Sequence, residues 1–191
     1  PGLDLEDELI KENLPLFSLE SKRPLADFDI IGFSLTYELT YTNMVNILNL
    51  AQIPIWQKDR NDSHPLIIAG GGCTTNAEPV ADFLDAACLG DGEEMIVDVV
   101  NAVREWKFSV GVAARGRPSE GNHIGLPLRH NLLNNLSQIE GVYIPSFFTP
   151  IYNEDGTLKE TKALKAGYTK INRRVLKEID TAPYPTATLV P

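Results

Sequence analysis

The sequence has no excess of positive charge and no long apolar run. Its 17 lysines and arginines are outnumbered by 26 aspartates and glutamates, which gives a formal net charge of −9 at pH 7. Nucleic-acid binding normally requires a basic surface, so this balance argues against a nucleic-acid partner for the segment. No stretch approaches the ~20 apolar residues of a membrane span, and no secretory leader is visible. We therefore expect a cytoplasmic chain that binds neither nucleic acid nor a membrane.

Cysteine is also scarce, and the motifs of covalent and metal catalysis are missing. The two cysteines, Cys73 and Cys88, are too few for a disulfide framework or a metal cage. Both lie at the ends of apolar runs, so we expect small buried thiols in a reducing compartment. The three histidines have no cysteine or carboxylate nearby at metal-ligand spacing, and no nucleophile elbow occurs. The sequence therefore predicts no catalytic residue and no metal ligand.

Three short apolar runs predict neighbouring strands of a parallel sheet. They cover residues 30–35, 66–69 and 86–89, and each has the composition of a strand that is buried on both faces. Apolar residues recur at helical spacing after the first run, over residues 41–48, and after the third, over residues 95–106. This alternation predicts an α/β fold with a Rossmann-like, flavodoxin-like parallel sheet. Three strands are few for such a sheet, so we expect a first strand and helix upstream of Pro1.

The composition changes after this Rossmann-type domain, which we assign to residues 1–108. Residues 109–140 combine a glycine-rich insertion with a short helix. Residues 141–191 predict a small β-rich extension, with a hairpin turn at residues 153–156 and a proline-containing linker at the end. We expect residues 141–179 to form a mostly antiparallel unit outside the main sheet, with a further strand between residues 170 and 179.

Small, polar or glycine-rich residues follow each of the predicted strands. In an open α/β sheet, ligands bind beyond the carboxyl ends of the strands, and glycine lets the backbone approach a phosphate or sugar closely. Neither glycine loop has the dinucleotide fingerprint, and tight strand-to-helix turns would explain each one without a ligand. Two such loops in one sheet favour a binding site. The predicted cofactor-binding residues are Ser34, Thr36, Gly70, Gly71, Gly72, Gly90, Gly92 and Glu93.

Several segments resemble a bacterial family of uncharacterised radical S-adenosylmethionine (SAM) proteins of the Fe-S oxidoreductase type. The similar segments are residues 18–21, 24–39, 69–73, 90–94, 141–145 and 181–183. Proteins of this family carry an N-terminal cobalamin-binding-like domain ahead of the radical SAM domain. The resemblance implies cobalamin as a ligand of this region. It also implies that a 4Fe-4S cluster and SAM are held by a partner radical SAM domain outside this chain.

Two motifs that the resemblance leads us to look for are absent. The chain lacks the Cys-x-x-x-Cys-x-x-Cys motif and cannot hold that cluster; by resemblance, the motif should begin soon after Pro191. It also lacks the Asp-x-His-x-x-Gly motif, with which many cobalamin domains supply a lower histidine ligand. The hypothesis is therefore a non-catalytic, cobalamin-binding-like module. The alternatives are a flavin- or nucleotide-binding flavodoxin-like protein and a docking domain with an empty ligand site.

Overall fold

The computed structural model describes residues 3–109 and 128–183. Its helices and strands follow in the order α1 (Leu3–Lys11), β1 (Ile30–Ser34), α2 (Thr40–Leu50), β2 (Leu66–Gly70), β3 (Ala86–Cys88), α3 (Gly92–Ser109), α4 (Leu128–Leu136), β4 (Val142–Tyr143), β5 (Phe148–Tyr152) and β6 (Leu158–Ala163). Short 3-10 helices complete several connections, including Gly72–Asn76 and Glu78–Phe83 between β2 and β3. No helix in the described ranges is long and apolar enough to cross a membrane.

Four strands form the main sheet in the order β1-β2-β3-β4. Strands β1, β2 and β3 are parallel, with Ile30 opposite Leu66 and Ile68 opposite Ala86. Strand β4 runs antiparallel to β3, and β5 and β6 form a separate antiparallel hairpin. The prediction of an α/β, Rossmann-like sheet followed by a small β-rich extension is confirmed.

Alternation along the strands divides the core into two layers. Odd-numbered residues such as Ile67 and Ala69 pack with α1, α2 and the 3-10 helix before β3; we call this side the α2 face. Even-numbered residues such as Leu66 and Ile68 pack with α3 and α4; we call this side the α3 face. Since successive side chains of a strand point to opposite faces, both sets of apolar residues are buried only when helices cover both faces.

Strand β1 departs from the prediction that residues 30–35 are buried on both faces. Within the described ranges it pairs with β2 alone, so it is an edge strand. Ile30, Ile31 and Phe33 are half-buried, whereas Gly32 and Ser34 are exposed. The apolar composition was interpreted as central placement, but an edge strand whose faces are partly covered by helices has a similar composition.

The C-terminal prediction is partly corrected. The hairpin around residues 153–156 is confirmed, but Val142–Tyr143 belongs to the main sheet and does not lie outside it. The expected strand at residues 170–179 is wrong: this stretch contributes a single bridge, between Arg174 and Gly90. The glycine-rich residues 111–125 and the final linker residues 184–191 lie outside the described ranges.

The outer edge of β4 is closed by a side chain. Tyr168 is buried, and its hydroxyl donates a hydrogen bond to Val142 O at 2.5 Å while it accepts one from the Ile144 N–H at 3.1 Å. In the antiparallel pair, Gly141 O accepts from the Leu89 N–H, so the polar groups of Val142 point away from β3. Tyr168 therefore satisfies backbone groups that a fifth strand would otherwise bind.

A buried charge cluster holds the amino edge of the sheet. The Asp85 carboxylate, just before β3, accepts from Arg129 Nη2 at 2.7 Å and from the Ile67 N–H at 2.8 Å. Arg60 Nε lies 3.4 Å from the same carboxylate, and its Nη2 donates to Phe83 O at 2.9 Å. All three charged side chains are nearly inaccessible to solvent. Burial lowers the pKa of the Arg60 guanidinium, and the negative charge of Asp85 opposes that shift.

Candidate functional site

The carboxyl ends of β1 and β2 meet at one edge of the sheet. Ser34 lies opposite Gly70, the last paired residues of the two strands. Beyond them the Leu35 N–H donates to Gly70 O at 2.7 Å, and the Cys73 N–H donates to Leu35 O at 2.9 Å. The first glycine loop therefore wraps around the end of β1 and brings residues 70–72 beside Ser34. Ser34 and Thr36 are both exposed there.

Within the first loop, the three glycines have different surroundings. Gly71 has φ +103°, and a Cβ at this position would lie 2.8 Å from Leu35 O. The positive φ and the close contact with Leu35 thus explain the glycine at position 71 without a ligand. A Cβ on Gly70 or Gly72 would meet no heavy atom within 4 Å. The space above these two residues is open to an approaching molecule.

The second glycine loop is covered by a C-terminal stretch, residues 172–176, which we call the 174 segment. Gly90 has φ +104°, and a Cβ there would lie 2.0 Å from Arg174 O. The Arg174 N–H donates to Leu89 O at 2.9 Å, and the Asp91 N–H donates to Arg174 O at 3.0 Å. The backbone of the 174 segment therefore occupies the space beside Gly90 and binds the Asp91 amide, so neither is available to a ligand.

Arg174 also neutralises part of the acidic start of α3. Its guanidinium donates to Glu94 Oε2 at 3.0 Å and to the Asp98 carboxylate. The hydrogen bond that Arg174 donates to Asp98, followed by the one that it donates to Glu94, raises the pKa of Arg174. Gly92 and Glu93 remain exposed beside this pair, and a Cβ on Gly92 would meet nothing within 4 Å. The open part of the second loop is therefore limited to its last residues.

A buried threonine, which the sequence analysis missed, connects the first glycine loop to the end of β3. The Thr74 hydroxyl lies 2.7 Å from Gly71 O and 3.0 Å from Cys88 O, and it donates its single proton to these carbonyls. It thereby holds the loop after β2 against the end of β3. Threonine in a polar stretch is usually exposed, so composition alone gave no signal for this residue.

A cavity of about 260 Å³ lies beyond β2 and β3, under the hairpin. Polar residues on its wall include Thr75, Asn76 and Glu78, and apolar ones include Leu89 and Phe148. None of the eight predicted cofactor-binding residues contributes to its lining. The residues at the ends of β1 and β2 and this cavity are therefore separate features of the carboxyl edge.

The thiol of Cys88 is predicted to react slowly. Burial raises the pKa of Cys88 to about 11, from 9.0 for a free thiol. At pH 8 this lowers its thiolate fraction about a hundredfold, and the thiolate is the reactive form. We expect iodoacetamide to alkylate Cys88 at least fiftyfold more slowly in the folded chain than in urea at the same pH, measured by peptide mass spectrometry. Equal rates in the two states would contradict the burial of this thiol.

Comparison with known protein families shows to which family this chain belongs. Residues 1–145 match the family model described as the N-terminal region of radical SAM proteins. This chain belongs to that family. The comparisons give no match to a curated protein and none to a solved structure. The resemblance to radical SAM proteins is thus confirmed at the level of the family, and the match leaves out the hairpin and the 174 segment.

Membership implies that a radical SAM domain, with its 4Fe-4S cluster and SAM, belongs to the same protein. This N-terminal region does not supply the cluster ligands, because two cysteines cannot form a three-cysteine motif. Its described residues also contain no group of three His, Cys, Asp or Glu side chains that could hold a metal ion.

A lower histidine ligand for a cobalamin would have to lie at the carboxyl edge of the sheet. His64 precedes β2 at the opposite edge of the sheet, where its Nδ1 accepts from the Asn61 N–H at 3.0 Å. His130 lies in α4 with its ring 5.5 Å from that of Phe147. His123 falls outside the described ranges. The described part of this radical SAM N-terminal region thus has no imidazole beside the predicted cofactor-binding residues.

Proposed function

We propose that this chain is a non-catalytic module of a radical SAM protein, and that its carboxyl edge binds the nucleotide tail of a corrinoid weakly. The observation that carries the proposal is the open space above Gly70, Gly72 and Gly92, in contrast to the packed positions Gly71 and Gly90. Open glycines at the ends of neighbouring parallel strands allow a phosphate or sugar to approach the backbone.

Ser34 and Thr36 complete the proposed site with exposed hydroxyls beside the first loop. Hydroxyls and free amides bind phosphate and ribose oxygens without any metal bond. Because an axial histidine is not part of this set, the binding free energy comes from the tail alone. We expect a dissociation constant in the micromolar range or weaker, about −8 kcal/mol at most.

The expected result is that the purified chain carries no corrinoid and binds added hydroxocobalamin weakly. Binding is measured by absorption titration and equilibrium dialysis with the wild-type chain and with Gly72→Leu, which fills the open space of the first loop. Asn49→Leu is the control, since Asn49 is exposed at the far end of α2, near the amino edge. We expect Gly72→Leu to weaken binding at least tenfold and Asn49→Leu to leave it unchanged.

Three results would contradict this function. A purified chain that retains stoichiometric corrinoid would show a tight site that the present residues do not account for. Equal weakening by both variants would place the ligand elsewhere. Saturable binding of flavin mononucleotide without binding of the corrinoid would favour the flavodoxin-like alternative.

A second candidate function is a docking module with no ligand. The cover of the 174 segment over the Gly90 loop favours it, because part of the predicted ligand surface is already used by the chain. Absence of binding to both hydroxocobalamin and flavin mononucleotide, with the fold intact by circular dichroism, is the result expected from this candidate.

A further inference from the structure

Strand β1 presents an unused row of backbone hydrogen-bonding groups. Its pairing with β2 uses odd-numbered residues, since Asp29 O accepts from the Leu66 N–H at 2.9 Å and the Leu35 N–H donates to Gly70 O at 2.7 Å. Backbone groups alternate in direction along a strand, so the N–H and C=O groups of Ile30, Gly32 and Ser34 point to the other side. In the described ranges no strand pairs with that side.

This edge lacks the features that protect natural edge strands. Residues 30–34 contain no proline, lysine or bulge, and Gly32 has no side chain to keep another strand away. Edges of this kind are templates for a further strand, and native proteins normally cover or blunt them. The open side of β1 is therefore suited to pairing.

Helix α3 exposes apolar side chains next to the same edge. Ile96, Val97 and Val100 are 43%, 43% and 44% exposed, and Phe108 is 81% exposed. A groove of about 440 Å³ runs between the start of β1 and the end of α3, with Ile30, Val100 and Phe108 on its wall. A strand beside β1 would not cover these side chains, because they lie in the helix layer. A helix packed beside α3 would cover them.

The path of the chain shows which connections would reach these surfaces. The connections from β1 to β2 and from β2 to β3 both cross on the α2 face and step in the same direction along the sheet. Parallel crossovers in one sheet share one hand almost without exception, so a connection that steps toward β1 from its open side must also use the α2 face. Helix α1 is the α-helix before β1, from which residues 12–29 separate it, and it packs on that face through Leu9. It is therefore placed as the crossover helix of a strand beyond the open edge.

The same handedness rule predicts which connection crosses on the α3 face. A connection that steps in the opposite direction, away from β1, must cross on the opposite face of the sheet. That is the face where α3 leaves its apolar side chains exposed. A single segment can supply both the crossover through α1 and the crossover on the α3 face. It begins with a strand beside β1, continues through a helix packed against α3, and ends with a strand farther from β1 that leads into α1.

We infer that the open edge of β1 and the exposed side of α3 are covered by a strand–helix–strand segment of the same polypeptide that precedes Leu3. The resulting strand order is the flavodoxin-like 2-1-3-4-5, with β1, β2 and β3 as its third, fourth and fifth strands. A second copy of the chain fits less well. It would bring an antiparallel strand to β1 and would leave α1 without a strand from which to cross over.

Hydrogen exchange in two polypeptides tests this inference. One is the 191-residue chain, and the other is the full-length product of its gene, which by this inference includes sequence upstream of Pro1. We expect the amides of Gly32 and Ser34 to exchange rapidly in the short chain and at least a hundredfold more slowly in the long one. The amides of Ile31 and Phe33 are the internal control, because they point to β2 and should be slow in both.

A surface variant gives an independent readout. Phe108→Asp should leave the urea midpoint of the short chain unchanged, since this side chain is mostly exposed there, and should lower that of the long chain by at least 0.5 M. Lys107→Asp is unsuitable as its control because Lys107 pairs with Asp29. Glu105→Asp, on the exposed side of the same turn, serves instead.

Four outcomes would overturn the inference. The gene could encode no segment upstream of Pro1, or Gly32 and Ser34 could exchange rapidly in the long product as well. Concentration-dependent protection in the short chain would instead identify a second copy as the occupant. Protection that appears only when sequence after Pro191 is added would identify the radical SAM domain.

Discussion

Replacing Asp85 with asparagine is expected to lower the free energy of unfolding by about 3–5 kcal/mol. The Asp85 carboxylate is the shared partner of two buried guanidiniums, and its side chain is fully inaccessible. Asparagine keeps the shape but removes the negative charge, so Arg60 and Arg129 would face each other uncompensated. Desolvated charges without a partner are among the few causes of such large losses. Urea unfolding followed by circular dichroism measures the change.

Asp82→Asn provides the matched control, because Asp82 lies three residues earlier and is exposed. We expect it to change the free energy of unfolding by no more than about 0.5 kcal/mol. A loss below about 1 kcal/mol for Asp85→Asn would contradict the buried cluster. If Asp85→Asn fails to accumulate as a folded protein, Asp85→Glu keeps the charge with a longer side chain and should give a measurable, smaller loss.

The second large effect is expected at Gly90. Alanine at this position would have to adopt φ +104° and would place its Cβ 2.0 Å from Arg174 O, a distance that no real contact permits. The 174 segment must therefore move away and lose its hydrogen bonds with Leu89 and Asp91. Backbone strain together with these hydrogen bonds gives an expected loss of about 2–4 kcal/mol for Gly90→Ala in urea unfolding.

Gly92→Ala is the natural comparison, two residues later. Gly92 begins α3, and a Cβ there would meet nothing within 4 Å, so the free energy of unfolding should change by about 0.5 kcal/mol or less. Trypsin gives a second readout, because release of the 174 segment frees the backbone at Arg173, Arg174 and Lys177 for cleavage, although two of these side chains are already exposed. Equal trypsin sensitivity of both variants would argue against the contact between Gly90 and Arg174.

The elements that could be predicted from the sequence are those whose signal lies within one short stretch. The alternation of apolar runs and helical stripes is local, and β1, β2, β3, α2 and α3 follow from it. The turn at residues 153–156 is also local, and so is the hairpin that it closes. In each case a hydrophobic period or a turn residue determines the backbone without reference to distant contacts.

The features that were missed depend on contacts between residues far apart in sequence. Gly90 was interpreted as room for a ligand, but its close neighbour is Arg174, 84 positions away. Arg60 and Arg129 have the composition of surface residues, and only the fold brings them to Asp85. The edge position of β1 was missed for the same reason. The sequence of a strand indicates which of its faces are buried, but it does not indicate which strands lie on either side of it.

Tyr168 makes the two edges of the sheet unequal. Its hydroxyl occupies the outward groups of Val142 and Ile144, whereas the outward groups of β1 are unpaired within the described ranges. An assembly that extends without limit requires two surfaces that fit each other, one at each end of the repeating unit. Among the strands that the structure describes, the sheet offers only one such surface, the β1 edge, so two copies that pair through β1 would leave no edge for a third copy. Exposure of the β1 edge can therefore lead to closed pairs but not to open-ended fibres.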